Sequence, residues 1–406
     1  PRAVKYWIRA GFIEKGRLHK DKAYEYFQNA FDLIQELGST ADPKDIYQLT
    51  NEWGDLALQM EDIETFTNLN SACLRAGEKL QNRKLIGVGK SGIGWVAHVR
   101  GYFDIAEKFL AQAILIFEQE KDQVDLLDAH FRLGTIYFSR QDFTEVIRQY
   151  DRVRELTLGF DDLNGMLFIK KASAFLIYAY CIAGRLDVAQ KLADEGMTIA
   201  NTLGELNYTA QLKASEAIIR YYSGDLVGAK ERVDEILPDL YAMNLDWWVF
   251  ALLTTAGQVS LETGDLTSCA RIGDLIASFD SKALTAGWGK CFQRYLWGEI
   301  LLNLGCLDDA GALFKENIDE QKEKFIELIS RLGMAKVEIQ QGGLKKSKKE
   351  LESILENAEN RGFLAIAQGI KLELLHNAIE QGNERQLQAE WKKYSAELAH
   401  SQLKGV

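Results

Sequence analysis

The apolar residues of this 406-residue chain recur at the three- and four-residue intervals of an α-helix. One stretch sets Phe175, Leu176, Tyr178, Ala179 and Ile182 on a helical face, and the next sets Val188, Leu192, Met197 and Ile199 on another. Tightly alternating segments of the strand type are hard to find. The pattern predicts helices throughout, joined by short turns. The turns themselves repeat every 40 residues or so. A glycine-led motif begins at Gly101 (GYFDIA), Gly184 (GRLDVA), Gly224 (GDLVGA), Gly264 (GDLTSC), Gly305 (GCLDDA), Gly342 (GGLKKS) and Gly382 (GNERQL), with degenerate copies at Gly16, Glu61 and Gln141. Self-similarity at such a period marks a solenoid, in which a helix pair buries its apolar face only by stacking on its neighbours.

Two small positions flank each turn. Seven residues before it stand Gly54, Gly94, Gly134, Ala217, Gly257, Gly298 and Ala335; five after it stand Ala106, Ala189, Ala229, Cys269, Ala310 and Ser347. Antiparallel helices joined by a tight turn approach closely only where side chains are small, so these positions mark a crossing. The turn glycine can take positive φ and end the first helix. An Asp often follows (Asp104, Asp142, Asp187, Asp225, Asp265, Asp308) and is expected to cap the second helix.

A small residue, a Gly seven residues on and an Ala five after that resembles the signature of the tetratricopeptide repeat, whose period is usually 34 residues. The extra residues here lengthen the helices or the links between them. Repeats of this longer kind resemble the C-terminal superhelix of STAND-class signal-transduction NTPases, and also the bacterial peptide-receptor regulators. The opening, AVKYWIRAG from Ala3 to Gly11 and KAYEYFQNAFDLI from Lys22 to Ile34, resembles the first repeat after the ATPase module of STAND proteins. The chain starts at Pro1 without Met and reads as a piece of something longer. The resemblance implies an all-α, right-handed superhelical solenoid of about ten antiparallel helix pairs, forming one domain over 1–406. Its approximate repeats are 1–40, 41–85, 86–125, 126–168, 169–208, 209–248, 249–289, 290–326, 327–366 and 367–406.

The resemblance also implies a concave groove lined by the first helix of each pair, at set distances before the turn. Repeat three then contributes Trp95 and His98, and repeat four Asp128, Phe131 and Thr135. Repeat five contributes Lys171 and Tyr178, and repeat six Gln211, Tyr221 and Tyr222. Repeat seven contributes Thr254, Gln258 and Glu262, and repeat eight Tyr295, Glu299 and Asn303. Polar and aromatic groups mixed in this way suit recognition better than a dry core, and aromatics on a groove are good peptide anchors. Replacing Tyr178 and Tyr222 by Ala is expected to weaken binding and leave the domain folded.

Composition narrows the function. The net charge of −11 argues against a nucleic-acid surface, which needs clustered positive charge. The one basic run, Lys345 to Lys349, falls at a turn and helix start and reads as a solvated face. Three prolines suit a nearly all-helical chain. Five scattered cysteines without CxxC spacing fit a reducing, cytoplasmic setting and small core residues. No secretory leader opens the chain, and the most apolar stretch, Ala172 to Ala183, is too short to span a bilayer.

Catalytic chemistry finds little support. Gly87 to Ser91 (GVGKS) imitates the end of a phosphate loop, but the first glycine of that motif would fall at Lys84 and no strand precedes it. The five histidines are dispersed, so no metal is expected. The acidic pairs Asp161-Asp162 and Asp308-Asp309 fall at interhelical turns, where capping is the ordinary role. No nucleophile–base arrangement and no cofactor motif stands out. The expectation is a non-catalytic module that holds a protein or peptide, as the sensor arm of a larger STAND-type protein. A metabolite sensor or a peptide-pheromone receptor regulator is the alternative.

Overall fold

In the computed structural model, residues 2–17, 19–60, 62–157, 163–278, 288–320, 324–382 and 384–400 are described, with the backbone alone for 163–172, 288 and 396–400. Twenty α-helices and no strand occur among them. The first eight are α1 (Arg2–Gly16), α2 (Lys20–Leu37), α3 (Pro43–Gln59), α4 (Ile63–Leu80), α5 (Arg83–Val99), α6 (Phe103–Glu120), α7 (Gln123–Ser139) and α8 (Phe143–Thr157). Then follow α9 (Leu163–Ile182), α10 (Leu186–Leu203), α11 (Leu206–Tyr222), α12 (Leu226–Ala242), α13 (Asp246–Glu262) and α14 (Leu266–Ala277). The last six are α15 (Trp288–Asn303), α16 (Leu307–Glu320), α17 (Lys324–Gln340), α18 (Leu344–Asn360), α19 (Leu364–Glu380) and α20 (Glu384–His400). The chain forms two compact units, one of Pro1–Ile136 with Glu155–Thr157 and one of Tyr137–Arg154 with Leu158–Val406.

The turn motif works as its composition suggests. Gly101, Gly184, Gly224, Gly264, Gly305, Gly342 and Gly382 all have positive φ, and so does Gln141. Each ends a helix: at Gly101 its own N–H reaches the His98 carbonyl at 2.8 Å, and the next N–H reaches Ala97 at 2.8 Å. The caps need correction. The N-cap is the residue right after the turn glycine. Asp225 and Asp265 occupy it and accept from the amides of Gly228 (2.9 Å) and Ser268 (3.0 Å), as Asp142 does from Glu145. Asp104, Asp187 and Asp308 fall two residues later, inside the first turn. There a carboxylate still favours the helix dipole, but Tyr102 and Arg185 hold the caps without a side-chain bond. Asp309 likewise lies in the first turn of α16, while Asp161 and Asp162 lie outside the described residues. Cys306, expected in the core, is exposed at its turn, whereas the other four cysteines are buried.

Packing in the first unit runs from each helix to the next, α1 to α6. The α4–α5 seam depends on glycine. A Cβ on Gly89 would come within 2.7 Å of the Leu74 amide nitrogen, and one on Gly77 within 2.7 Å of that of Ile86. The sequence that imitates a phosphate loop is therefore the middle of α5, and its glycines let two helices touch along their backbones. At the expected crossing, a Cβ on Gly94 would lie 3.2 Å from the Ala106 carbonyl.

The second unit adds a ring. Besides neighbour-to-neighbour packing, α9, α11, α13, α15, α17 and α19 each touch the next in that series, and α19 touches α9. The closure is built from buried rings: Phe363 lies 5.4 Å from Phe143 and 5.9 Å from Phe325. Gly362 backs onto Thr144, and the buried side chain of Gln141 accepts the Phe325 amide. Inside, Trp247 packs at 5.3–5.8 Å against Phe138, Phe175 and Tyr178.

Candidate functional site

In the first unit the residues expected on a groove engage one another. Arg132 pairs with Asp128 one turn away at 2.6 Å and stands 5.7 Å over the Trp95 ring. Trp95 is half-buried and lies 4.9 Å from His98. His98 is buried, its Nδ1 has no partner, and burial lowers its pKa to about 4. Thr135 is buried and donates to the Phe131 carbonyl. The space left here is about 40 Å³, lined by Thr50, Asn70, Ser91 and Asp125 beside Asp128 and Arg132. Beside it Tyr47 donates to Asp125 at 3.1 Å, and Lys84 pairs with Asp122 and Asp125.

In the second unit six of the expected residues converge. Tyr221, Gln258, Glu262, Tyr295, Glu299 and Asn303 line one open groove of about 610 Å³ within the helix ring. The other wall comes from Leu332 and Lys336 of α17 and Gly369, Leu372 and Glu373 of α19. The Tyr221 hydroxyl donates to Glu262 at 2.6 Å. Lys336 sits 3.3 Å from the buried Glu299. Burial works against the Lys336 charge, but Glu299, Glu373 and Glu262 outweigh it and raise its pKa. Burial and the Glu262 charge hold the Tyr221 phenol well above its ordinary range.

Other expected residues lie elsewhere. Tyr178, Tyr222 and Thr254 line an aromatic pocket with Trp247, Phe250, Phe292 and Phe325, where only about 20 Å³ is open. Gln258 lines both the pocket and the groove. Gln211 is half-buried on α11 and borders neither. The side chain of Lys171 lies outside the described residues. Tyr178 and Tyr222 pack against neighbouring rings, so Ala at these positions would also remove packing.

Among the described residues no three His, Cys, Asp or Glu are grouped to hold a metal, and no helix is long and apolar enough to cross a membrane. No protein-family model matches the sequence, and none of the curated proteins does. Solved structures do. A Rap protein complexed with Competence and Sporulation Factor aligns over 93% of this chain and 100% of its own, at TM-score 0.56 and 11% identity. The chain is a tetratricopeptide-like helical repeat. A Pyrococcus horikoshii signal-transduction ATPase of the STAND class, with a tetratricopeptide repeat sensor, aligns over 88% of this chain at TM-score 0.47 and 12% identity. The chain spans 52% of it. Yeast Tom70 aligns over 95% of this chain and 99% of its own, at TM-score 0.37 and 10% identity.

Within the tetratricopeptide-like frame, one wall of the groove belongs to repeats nine and ten, beyond the residues expected from repeats three to eight. Counting back from Gly342 and Gly382 by the same intervals reaches Leu332, Lys336, Gly369 and Leu372, all of which line it. Glu373 lies one residue off those intervals. Only the ring closure, which brings α19 round toward α11, makes these residues face Tyr221.

Proposed function

We propose that this chain is a non-catalytic module that binds a protein or peptide segment in the groove between α11, α13, α15, α17 and α19. The observation that carries this reading is the convergence of residues from five successive repeats onto one open groove of about 610 Å³. Its walls combine two tyrosines and four leucines with a few charged groups, the mixture of anchors and polar rim that peptide recognition uses. The tetratricopeptide-like neighbours include one solved with a bound factor and one with a sensor role. Service as the sensor arm of a larger STAND-type signalling protein fits with them.

Leu372 offers a direct test, because it lines the groove and is 41% exposed. Peptides selected from a random display library on the intact chain should bind Leu372→Asp at least about tenfold more weakly, with the melting curve unchanged. Equal affinity for the variant would remove the groove from the mechanism. The volume also lies within the roughly 300–1,000 Å³ of small-molecule sites. A thermal-shift screen that returns a metabolite, beside a display selection that returns nothing, would favour the metabolite-sensor reading.

A further inference from the structure

We infer that the groove selects a peptide by a positive charge, an ammonium or guanidinium set among Glu262, Glu299 and Glu373. This rests on the peptide-binding reading above and names the chemistry it would select.

Charge carries the argument. Three carboxylates line the groove against one ammonium, Lys336. Lys336 is matched to Glu299 at 3.3 Å. Glu262 receives a hydrogen bond from the Tyr221 hydroxyl, and Glu373 faces His376 at 3.3 Å. Among the described residues neither Glu262 nor Glu373 forms an ion pair with a lysine or arginine, and the Lys336 charge reaches both only at longer range. Three carboxylates against one ammonium leave the groove with a net negative charge, and a matching cation gains more between such walls than at a flat surface. A free peptide carboxylate or a phosphate would be repelled. The rings of Tyr221 and Tyr295 stand beside these carboxylates, and such rings suit the aliphatic stem and the cation of a basic side chain.

The test uses the whole chain and mixtures of pentapeptides with one position fixed and four randomised. One mixture fixes arginine with both ends capped. A second fixes norleucine with both ends capped, a third fixes glutamate with both ends capped, and a fourth fixes norleucine with a free N-terminus. Retention is measured by equilibrium dialysis and mass spectrometry. The arginine mixture, the free-amine mixture or both should be retained about tenfold better than the capped norleucine mixture, with glutamate poorest. Which of the two is preferred tells side-chain from terminal recognition. Glu262→Gln with Glu373→Gln keeps shape and removes charge. It should cut the preference to about threefold or less and leave norleucine retention unchanged. Equal retention of capped norleucine and the cationic mixtures, or a preference that survives the double variant, would overturn the inference and leave peptide binding standing. Retention of none of the mixtures would overturn both.

Discussion

Thr135 and Gln258 stand at equivalent distances before their turns, in different units, and their surroundings differ. Near Thr135 the charged groups pair locally: Asp128 and Arg132 pair within one helix, Arg132 covers the Trp95 ring, and the space that Asp128 and Arg132 line is only about 40 Å³. Around Gln258 the charged groups come from different helices, the tyrosines stand apart, and about 610 Å³ is open. The contrast teaches that a repeat position does not define a site. A salt bridge one turn apart closes a surface without any tertiary help. A groove needs helices held at a distance, and in the second unit the aromatic closure around Phe363 does that.

The sharpest way to break this comparison is to attack what holds each unit together. Phe363→Ala removes a ring that is fully buried at the closure, and should cost about 3–5 kcal/mol. Gly89→Ala inserts a methyl where the helices touch through backbone, and should cost about 1–3 kcal/mol. Hydrogen exchange read by mass spectrometry should show lost protection in α17 and α19 for the first and in α4 and α5 for the second. If both variants loosen both units equally, the division into separately stabilised halves fails.

Acid sharpens the first side of the comparison, because His98 and Asp125 both lie in the first unit. Burial holds His98 neutral, with its pKa near 4 against an ordinary 6.5. The unfolded chain therefore takes the proton first, and the His98 contribution is lost as pH falls from about 6.5 toward 4. Asp125 has the opposite sign. Burial and the Asp122 charge push it up to about 6 from 3.8, with Lys84 opposing. Its neutral form is favoured in the fold, so that contribution is complete below pH 3.8 and fades as pH rises toward 6. Between about pH 4 and 6 the two slopes oppose each other, each at most about 1.4 kcal/mol per pH unit. Urea denaturation across that range should show stability rising more steeply with pH in Asp125→Asn than in His98→Gln. Identical slopes would mean that neither group titrates as its surroundings require.

The smallest effect concerns the turns. Asp265→Ala removes a side-chain cap and should cost about 1 kcal/mol. Asp187→Ala removes a carboxylate from the first turn and not from the cap position, and should cost about 0.3–0.5 kcal/mol. Equal losses in thermal melts would mean that the dipole and not the hydrogen bond carries the motif.

Much of the scaffold was legible because its signals are local. A glycine that must take positive φ shows itself in one residue, and so did Gly101 and its six counterparts. The turns that link one pair to the next were legible only in part: Gly38, Gly204 and Gly362 take positive φ, but so do Gln81, Lys121 and Asn244, whose side chains advertise nothing. The candidate site was half legible. Tyr221, Glu262, Tyr295 and Glu299 follow from counting, and Lys336 and Leu372 follow from the same count carried further.

Sequence alone determined the helices, the turns between them and the small residues where they cross, because 3.6-residue periodicity and backbone sterics act over a few residues. Tertiary structure decided which polar residues were spent on each other and which stayed available. Asp128 found Arg132 beside it, whereas Glu262 and Glu373 meet across a ring that exists only once α19 reaches α9. Closure joins residues nearly two hundred positions apart, as Gln141 and Phe325 are. No local pattern encodes that contact, since it depends on the summed small rotations of every repeat between them.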